Sequence, residues 1–207
     1  MEVSMTHVIG LTGNIGGGKT LACSYLRECG VAVIHTDTVS RQLMRKGEVS
    51  YNAIVAEFGE KMLGEDGELD RRKMSQLIFG DEAARLKVNS IVHPLVIAEV
   101  ERLIDLYRAD GKDMVVVESA LIFEAGIAPQ MDEVWLVTAP KEVLLRRVQE
   151  RDGIGSAQAM ARLDAQEDNS LHEALADVVI ENNGDRDELK AKMLANYRRL
   201  CGEPHAL

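Results

Sequence analysis

The sequence predicts an α/β fold, a parallel sheet flanked by helices, with an inserted helical substrate subdomain and a helical lid. Short apolar runs alternate with segments of helical periodicity, which is the pattern of βα units. A glycine-rich loop at residues 13–20 lies between the first apolar run and the first helical segment. About seventy residues separate the second and third apolar runs, far more than an ordinary crossover needs, so this stretch predicts the insertion.

The glycine-rich loop fits G-x-x-x-x-G-K-[ST], the Walker A pattern, with Gly13, Gly18, Lys19 and Thr20 at its fixed positions. Backbone N–H groups of such a loop bind polyphosphates together with the positive end of the following helix. A glycine-rich turn without a ligand is the alternative, but a simple turn does not require the strand before it and the helix after it. The predicted fold is therefore of the P-loop NTPase type.

The same loop predicts the nucleotide site. Lys19 would reach the β- and γ-phosphates of ATP, and the hydroxyl of Thr20 would ligate Mg²⁺. The residues that we expect to contact the nucleotide are Asn14, Ile15, Gly16, Gly17, Gly18, Lys19, Thr20 and Leu21, with Arg147 from a later helix.

Asp37 closely follows the second apolar run, residues 31–34. Ligands of open α/β sheets bind at the carboxyl ends of the strands, so this carboxylate is well placed to accept a proton from an attacking hydroxyl. It is equally suited to cap the helix that follows. The two roles can coexist.

Residues 38–111 form the predicted insertion. The segment has helical character, and the helix from Pro94 onward carries an apolar stripe that is most simply core. Breaks between its helices are expected at Gly47, Gly59, residues 65–67, Gly80 and the His93–Pro94 step.

Three further apolar runs complete the predicted sheet. The run at 114–117 ends in Glu118, the arrangement of a Walker B strand, so Glu118 could stand near Mg²⁺. An exposed loop residue is the alternative there. The run at 134–137 precedes a helix that begins near Pro140, and the run at 178–180 precedes the closing helix.

Arginines in the region after the fourth strand predict a lid over residues 147–170. Arg147 and Arg151 lie four residues apart and share one helix face. Arg162 follows a polar break at 153–156. Two helices joined by such an elbow can fold arginines over phosphates and exclude water. A solvated charged face is the alternative, and the phosphate loop favours the lid.

Composition limits the possible functions. The 207 residues suit a single domain, 1–207, that carries an insertion, and the net charge of −10 argues against broad binding to nucleic acid or anionic membranes. No apolar run approaches the ~20 residues of a membrane span. Residues 1–4 lack the basic start of a signal peptide, so we expect a cytoplasmic protein.

Several motifs follow one another in a fixed order along nearly the whole chain. They are the loop segment 9–20, residues 33–37 with Arg41, residues 93–95, residues 121–124, Arg151 through Arg162 to Gln166, and residues 176–180 with 182–184. In order and spacing, this set resembles the dephospho-coenzyme A kinase family. Agreement in several separate motifs is much more specific than a lone phosphate loop.

The resemblance implies transfer of the γ-phosphoryl group of ATP to the ribose 3′-hydroxyl of dephospho-coenzyme A. It implies that Asp37 orients or deprotonates this hydroxyl, while Lys19, Mg²⁺, Arg147 and Arg151 neutralise charge. It also implies that the inserted helices, residues 38–111, bind the acceptor. The residues implied to hold the acceptor are Asp37, Arg41, His93, Glu124 and Arg162. Dephospho-coenzyme A is the expected small-molecule partner, with no nucleic acid, membrane or obligatory protein partner.

The chain departs from the family pattern in the loop and at two further places. In the loop, Asn14 and Gly17 replace a glycine and a serine at variable positions, and Thr20 replaces a serine but keeps the hydroxyl. His35 replaces the first acid of the family's D-A-D, so the role of base rests on Asp37 alone. Glu118 and Ala120 stand where the family tends to have Asp and Pro, which leaves the geometry at the metal open.

Two other functions are compatible with a phosphate loop. Another P-loop kinase, acting on a nucleoside, nucleotide or sugar, would share the loop and the lid but would not need the other motifs together. A GTPase should carry N-K-x-D, which the sequence lacks. Its one D-x-x-G, from Asp152 to Gly155, follows a helical segment instead of a strand.

Overall fold

The computed structural model describes residues 6–166 and 169–202, apart from the side chains of residues 169 and 170. Within this part of the chain, one parallel sheet is formed by five strands, as the apolar runs predict. In chain order they are β1 (His7–Thr12), β2 (Ala32–His35), β3 (Met114–Glu118), β4 (Glu133–Thr138) and β5 (Val178–Glu181). The order across the sheet is β2-β3-β1-β4-β5, which puts β1 at the centre.

Helices connect the strands. They are α1 (Lys19–Glu28), α2 (Thr36–Leu43), α3 (Val49–Phe58), α4 (Arg71–Gly80), α5 (Glu82–Ala109), α6 (Lys141–Asp152), α7 (Ser156–Asp164), α8 (Asn169–Leu175) and α9 (Arg186–Leu200). Short 3₁₀ helices span Glu60–Met62 and Ala128–Gln130. No helix of the described residues is long and apolar enough to cross a lipid bilayer.

The central strands are buried on both faces, which is why they read as continuous apolar runs instead of alternating ones. Ile9, Val116 and Trp135 are fully shielded from solvent. They form one apolar cluster with Leu26 of α1 and Met193 of α9. This packing fixes the strand and the helix that flank the glycine-rich loop.

The register of the sheet brings three strand ends to one edge. Leu11 of β1 pairs with Glu118, the last residue of β3. Thr12, the last residue of β1, pairs with Leu136 of β4. The glycine-rich loop therefore leaves the sheet at the carboxyl edge, where open α/β folds bind their ligands.

The described residues divide into two compact units. One unit contains the residues up to Val33 and those from Tyr107 onward, and the other is Ile34–Leu106. The predicted insertion, residues 38–111, overlaps the second unit, and its role in binding an acceptor stays a prediction.

Helix α5 runs through Pro94 without interruption, so the break predicted at this proline is wrong. Buried residues continue at helical spacing on both sides of it, with Val88 and Val92 before the proline and Val96 and Val100 after it. Burial of this continuous face offsets the backbone hydrogen bond that proline cannot donate. The other predicted breaks fall at helix ends or between helices: Gly47, Gly59, residues 65–67 and Gly80.

Candidate active site

The loop between β1 and α1 requires glycine at two positions, because the backbone there has positive φ angles and packs closely against neighbouring atoms. Gly13 has a φ of 143°, and a Cβ on it would lie 2.1 Å from the carbonyl oxygen of Val137 in β4. Gly18 has a φ of 103° and is the N-cap of α1. Because Gly18 has no side chain that could cap the helix, the first N–H groups of α1 suit an anionic ligand.

Lys19, the first residue of α1, bends back over the loop. Among its contacts, Nζ donates hydrogen bonds to the carbonyl oxygens of Gly13, at 2.5 Å, and of Asn14, at 3.2 Å. An ammonium group held over a loop of backbone amides is suited to a polyphosphate, because it adds a positive charge to neutral hydrogen-bond donors.

Arg147 of α6 lies against the same loop. Its Nη1 donates to the carbonyl oxygen of Gly16 at 3.4 Å. Its Nη2 donates to Oδ1 of Asn182 at 3.4 Å, and Nδ2 of Asn182 in turn donates to the carbonyl oxygen of Gly17 at 2.8 Å. Burial lowers the pKa of Arg147, with the nearby charge of Arg146 as a smaller cause. The guanidinium remains cationic, because arginine does not lose its proton in proteins.

Gln166 makes a further contact with the loop. Its Oε1 accepts a hydrogen bond of 2.7 Å from the backbone N–H of Ile15. Neither Gln166 nor Asn182 is among the predicted site residues, although both lie in motifs that carry the family resemblance. Membership in those motifs was the only signal that could have identified them, because both contacts span more than 150 residues of chain.

The predicted lid arginines Arg151 and Arg162 converge on Asp152. Arg151 donates from Nε to Oδ1 at 2.7 Å and from Nη2 to Oδ2 at 3.0 Å, and Arg162 donates from Nη1 to Oδ2. The hydrogen bonds from Arg151 are the largest cause that holds the pKa of the Asp152 carboxyl below its usual range. Asp152 therefore joins α6 and α7 across the predicted elbow.

An apolar cluster packs α6 against α7. Its buried members are Ala139, Leu144, Val148, Ala159 and Leu163, and the half-buried Ile15 of the loop packs against them. The lid predicted over residues 147–170 includes residues 167 and 168, which lie outside the described residues. Its closure over a ligand stays a prediction.

Thr20 and Glu118 are the predicted magnesium ligands. Thr20 is exposed in the first turn of α1, and Glu118 ends β3 beside Leu11. Nowhere in residues 6–166 and 169–202 do three or more His, Cys, Asp or Glu side chains gather in a way that could hold a metal. One hydroxyl and one carboxylate nevertheless fit Mg²⁺, which binds few protein oxygens and keeps water and phosphate ligands.

Glu124 is predicted to hold the acceptor, and its carboxylate lies beside His172 of α8. The two side chains approach to 3.1 Å between Oε1 and Nε2, and the His172 side chain is only 5% exposed. The ring of Phe123 lies 5.2 Å from the imidazole, measured between ring centroids. No pattern in the sequence indicates His172, which lies outside the quoted motifs.

Asp37, Arg41 and His93 belong to the second unit. Asp37 is exposed in the first turn of α2, whose N-cap is His35, so the alternative role of Asp37 as the helix cap is wrong. The structure starts the helix two residues earlier than that alternative requires. Arg41 donates from Nε to the backbone carbonyl of Asp37 at 2.9 Å. His93 is half-buried in α5, and burial lowers the pKa of its imidazole.

The second unit contains a cavity of about 890 Å³. Three arginines line it. Arg41 lies on α2, Arg45 lies just after α2, and Arg71 is the first residue of α4. Apolar residues supply much of the rest of the wall: Met44, Leu69, Met74, Ile78, Phe79 and Val88. Among the described residues of the lining, Glu68 is the one acidic residue, so the cationic side chains outnumber it. Arginines beside apolar residues suit an anionic ligand with an apolar arm, and the volume is that of a typical small-molecule site.

Comparison with known proteins identifies the family. A family model described as dephospho-CoA kinase matches residues 7–188. The chain belongs to the dephospho-CoA kinase family. A dephospho-CoA kinase from Shouchella clausii is 41% identical over 86% of this chain and 91% of its own length. Another from Moorella thermoacetica is 40% identical over 93% of this chain and 92% of its own length.

A solved structure has the same fold. The crystal structure of TT1252 from Thermus thermophilus superposes with a TM-score of 0.80 at 30% identity, covering 94% of this chain and 98% of that one. The resemblance read from the motifs and the P-loop NTPase fold are therefore both confirmed. As a member of this family, the chain is a transferase that uses ATP as co-substrate and an alcohol group of a small molecule as acceptor.

Proposed function

We propose that this chain acts in the cytoplasm and transfers the γ-phosphoryl group of ATP to the ribose 3′-hydroxyl of dephospho-coenzyme A, which gives coenzyme A and ADP. The observation that carries the proposal is the phosphate loop, with Lys19 folded over it and Arg147 against it, in a chain that matches the family over residues 7–188. The family match names the acceptor, and the loop with its two cations independently supports a polyphosphate donor.

In this proposal the first unit binds ATP. Loop amides between Asn14 and Thr20 and the N-terminus of α1 would surround the β- and γ-phosphates, with Lys19 and Arg147 as the nearest cations. The N–H groups of Ile15 and Gly17 are excepted, because they donate to Gln166 and to the carbonyl oxygen of Asn14. Arg151 would join them when the lid closes, once it leaves Asp152. Charge neutralisation is the main demand, because the transition state for phosphoryl transfer is loose and its negative charge is spread over the phosphoryl oxygens.

Mg²⁺ would be held by the hydroxyl of Thr20 and, directly or through water, by the carboxylate of Glu118. A bound Mg²⁺ neutralises charge on the β- and γ-phosphates. The oxygen atoms of these two side chains support this assignment. A second support is that Glu118 pairs with Leu11 at the carboxyl edge of the sheet, from which the loop departs.

The second unit would bind the acceptor. The cavity lined by Arg41, Arg45 and Arg71 offers cations for the pyrophosphate of dephospho-coenzyme A and an apolar wall for its pantetheine arm. His93, Glu124 and Arg162 are further proposed acceptor residues, from the family motifs. Asp37 would accept the proton as the 3′-oxygen bonds to the γ-phosphorus and the bond from that phosphorus to ADP breaks.

Measuring ADP release by the purified protein with ATP and Mg²⁺ tests the proposal. Dephospho-coenzyme A, a nucleoside, a nucleotide and a sugar would be compared as acceptors, with a reaction lacking acceptor as the control. We expect release that depends on dephospho-coenzyme A, with coenzyme A as the product. Release that requires another acceptor would overturn the proposed acceptor and leave the nucleotide site standing.

A further inference from the structure

Asn182 occupies a fixed position directly after β5. Its backbone N–H donates to the carbonyl oxygen of Thr138, the last residue of β4, at 2.7 Å. Only 6% of the residue is exposed, so its carboxamide must find partners within the protein. Asn183 follows it in the chain but is exposed, and its side chain donates to Glu181 instead.

Both polar atoms of the Asn182 carboxamide form hydrogen bonds at the proposed nucleotide site. Nδ2 donates to the carbonyl oxygen of Gly17 at 2.8 Å, and Oδ1 accepts from Nη2 of Arg147 at 3.4 Å. Arg147 completes a ring of contacts, because its Nη1 donates to the carbonyl oxygen of Gly16 at 3.4 Å. One buried side chain thus holds the phosphate loop and the α6 arginine at the same time.

The Asn182 side chain packs closely against the phosphate loop. A Cβ on Gly18 would lie 2.4 Å from Nδ2 of Asn182. The carboxamide therefore occupies the space next to Gly18, the N-cap of α1. Donating to a carbonyl and accepting from a guanidinium at once requires a group with both functions, which an amide side chain supplies.

We propose that Asn182 is a positioning residue for phosphoryl transfer. It fixes the Gly17 peptide and the Arg147 guanidinium relative to each other, so that the loop amides and this cation approach the phosphates as one preorganised unit. The inference rests on the nucleotide site of the proposed function. It adds a residue that acts through the loop and through Arg147, without itself contacting substrate.

The experiment measures binding of ADP and of AMP by calorimetry, with no acceptor present. AMP lacks the β-phosphate that the loop is proposed to hold, so the ratio of the two affinities isolates the loop. The proteins compared are wild type, Asn182→Ala, Arg147→Ala, the double variant, and Asn183→Ala as the matched control from the same turn. Thermal unfolding of each protein shows that it is folded.

For Asn182→Ala we expect about a tenfold loss of ADP affinity, because the Gly17 carbonyl loses its donor and Arg147 loses an acceptor. AMP affinity should change less than twofold, and Asn183→Ala should bind both ligands as wild type does. Arg147→Ala should weaken ADP binding in the wild-type background but much less in the Asn182→Ala background, because the arginine is no longer held in place.

Two outcomes would overturn the inference: an unchanged ratio of ADP to AMP affinity in Asn182→Ala, or losses from the two substitutions that simply multiply. A purely structural role would lower the unfolding temperature and leave that ratio intact. If Asn182→Ala does not fold, Asn182→Asp takes its place, since it keeps the side-chain volume and, when ionised, removes the donor to Gly17. A wild-type protein that binds ADP no better than AMP would instead refute the nucleotide site itself.

Discussion

The backbone N–H of Ile15 donates a 2.7 Å hydrogen bond to Oε1 of Gln166, which ties the phosphate loop to the segment just after α7. The side chain of Ile15 also packs against the apolar cluster that holds α6 and α7 together. A polar and an apolar contact at one residue therefore connect the loop with the predicted lid. If the phosphate loop becomes more mobile, the predicted lid should become more mobile too, and the reverse should also hold.

Gln166→Ala should loosen α7 in the absence of nucleotide. One net hydrogen bond contributes about 1 kcal/mol, so its loss should raise local opening by about fivefold. Hydrogen–deuterium exchange of the amides of α7 and of Ile15 measures this change. Gln158→Ala is the control, because Gln158 is an exposed glutamine on α7. Equal exchange rates in wild type and Gln166→Ala would contradict the coupling.

Asp152→Asn should lower stability in a way that depends on pH. The bonds from Arg151, followed by the charges of Arg151 and Arg162, hold the pKa of the Asp152 carboxyl below its usual value. A carboxyl with a depressed folded pKa contributes stability that is fully present above the unfolded value of about 3.9 and is lost as the pH falls through the folded value. Wild type should therefore exceed Asp152→Asn in unfolding temperature at pH 7, and the difference should shrink below about pH 4.

Thermal unfolding from pH 7 to pH 3 measures this difference. Asp164→Asn is the control, because Asp164 pairs with Lys141 at 2.7 Å while both side chains are more than half exposed. Exposed pairs of this kind contribute little. A difference between wild type and Asp152→Asn that stays constant over the whole range would mean that the carboxylate charge does not join α6 to α7.

The sequence predicted the elements whose signals are local. The strands are apolar runs because they are buried on both faces, and the loop is glycine-rich because Gly13 packs directly on the backbone of Val137. The helix through Pro94 was missed because burial of a continuous face outweighs the local preference of proline. The start of α2 was misplaced because His35 supplies the cap position with no side-chain hydrogen bond, which no capping pattern indicates.

Contacts between distant parts of the chain limit how much of the site can be predicted from the sequence. The loop itself follows from eight consecutive residues, but its supports Gln166 and Asn182 are 151 and 165 residues away from their partners. Asp152 belongs to the quoted lid motif and to a D-x-x-G, but neither pattern predicts its pairing with two arginines, which depends on how α6 packs against α7. No spacing rule connects such residues before the fold is known.

Lys19→Ala should weaken ATP binding and reduce turnover together. The ammonium group lies over the phosphate loop, within hydrogen-bond distance of the carbonyl oxygens of Gly13 and Asn14. Loss of a preorganised cation that faces developing charge commonly costs on the order of 10²-fold or more in rate. Calorimetry with ATP and the ADP-release assay measure the two effects. Lys190→Ala is the control, since Lys190 pairs with Glu28 at the surface, and retained activity in Lys19→Ala would contradict the loop assignment.

Asp37→Asn should abolish most turnover while ATP affinity stays within about twofold of wild type. The substitution keeps the shape of the side chain and removes its ability to accept a proton, and general-base catalysis commonly contributes 10²-fold or more. Because Asp37 lies in the first turn of α2, the lost charge also removes a favourable interaction with the helix N-terminus, worth about 0.3–1 kcal/mol. Glu82→Gln is the matched control, since Glu82 is an exposed acid in the first turn of α5. If Asp37→Asn and Glu82→Gln lose similar stability and both keep the wild-type kcat, the Asp37 carboxylate only stabilises its helix, and the proton must leave the acceptor by another route.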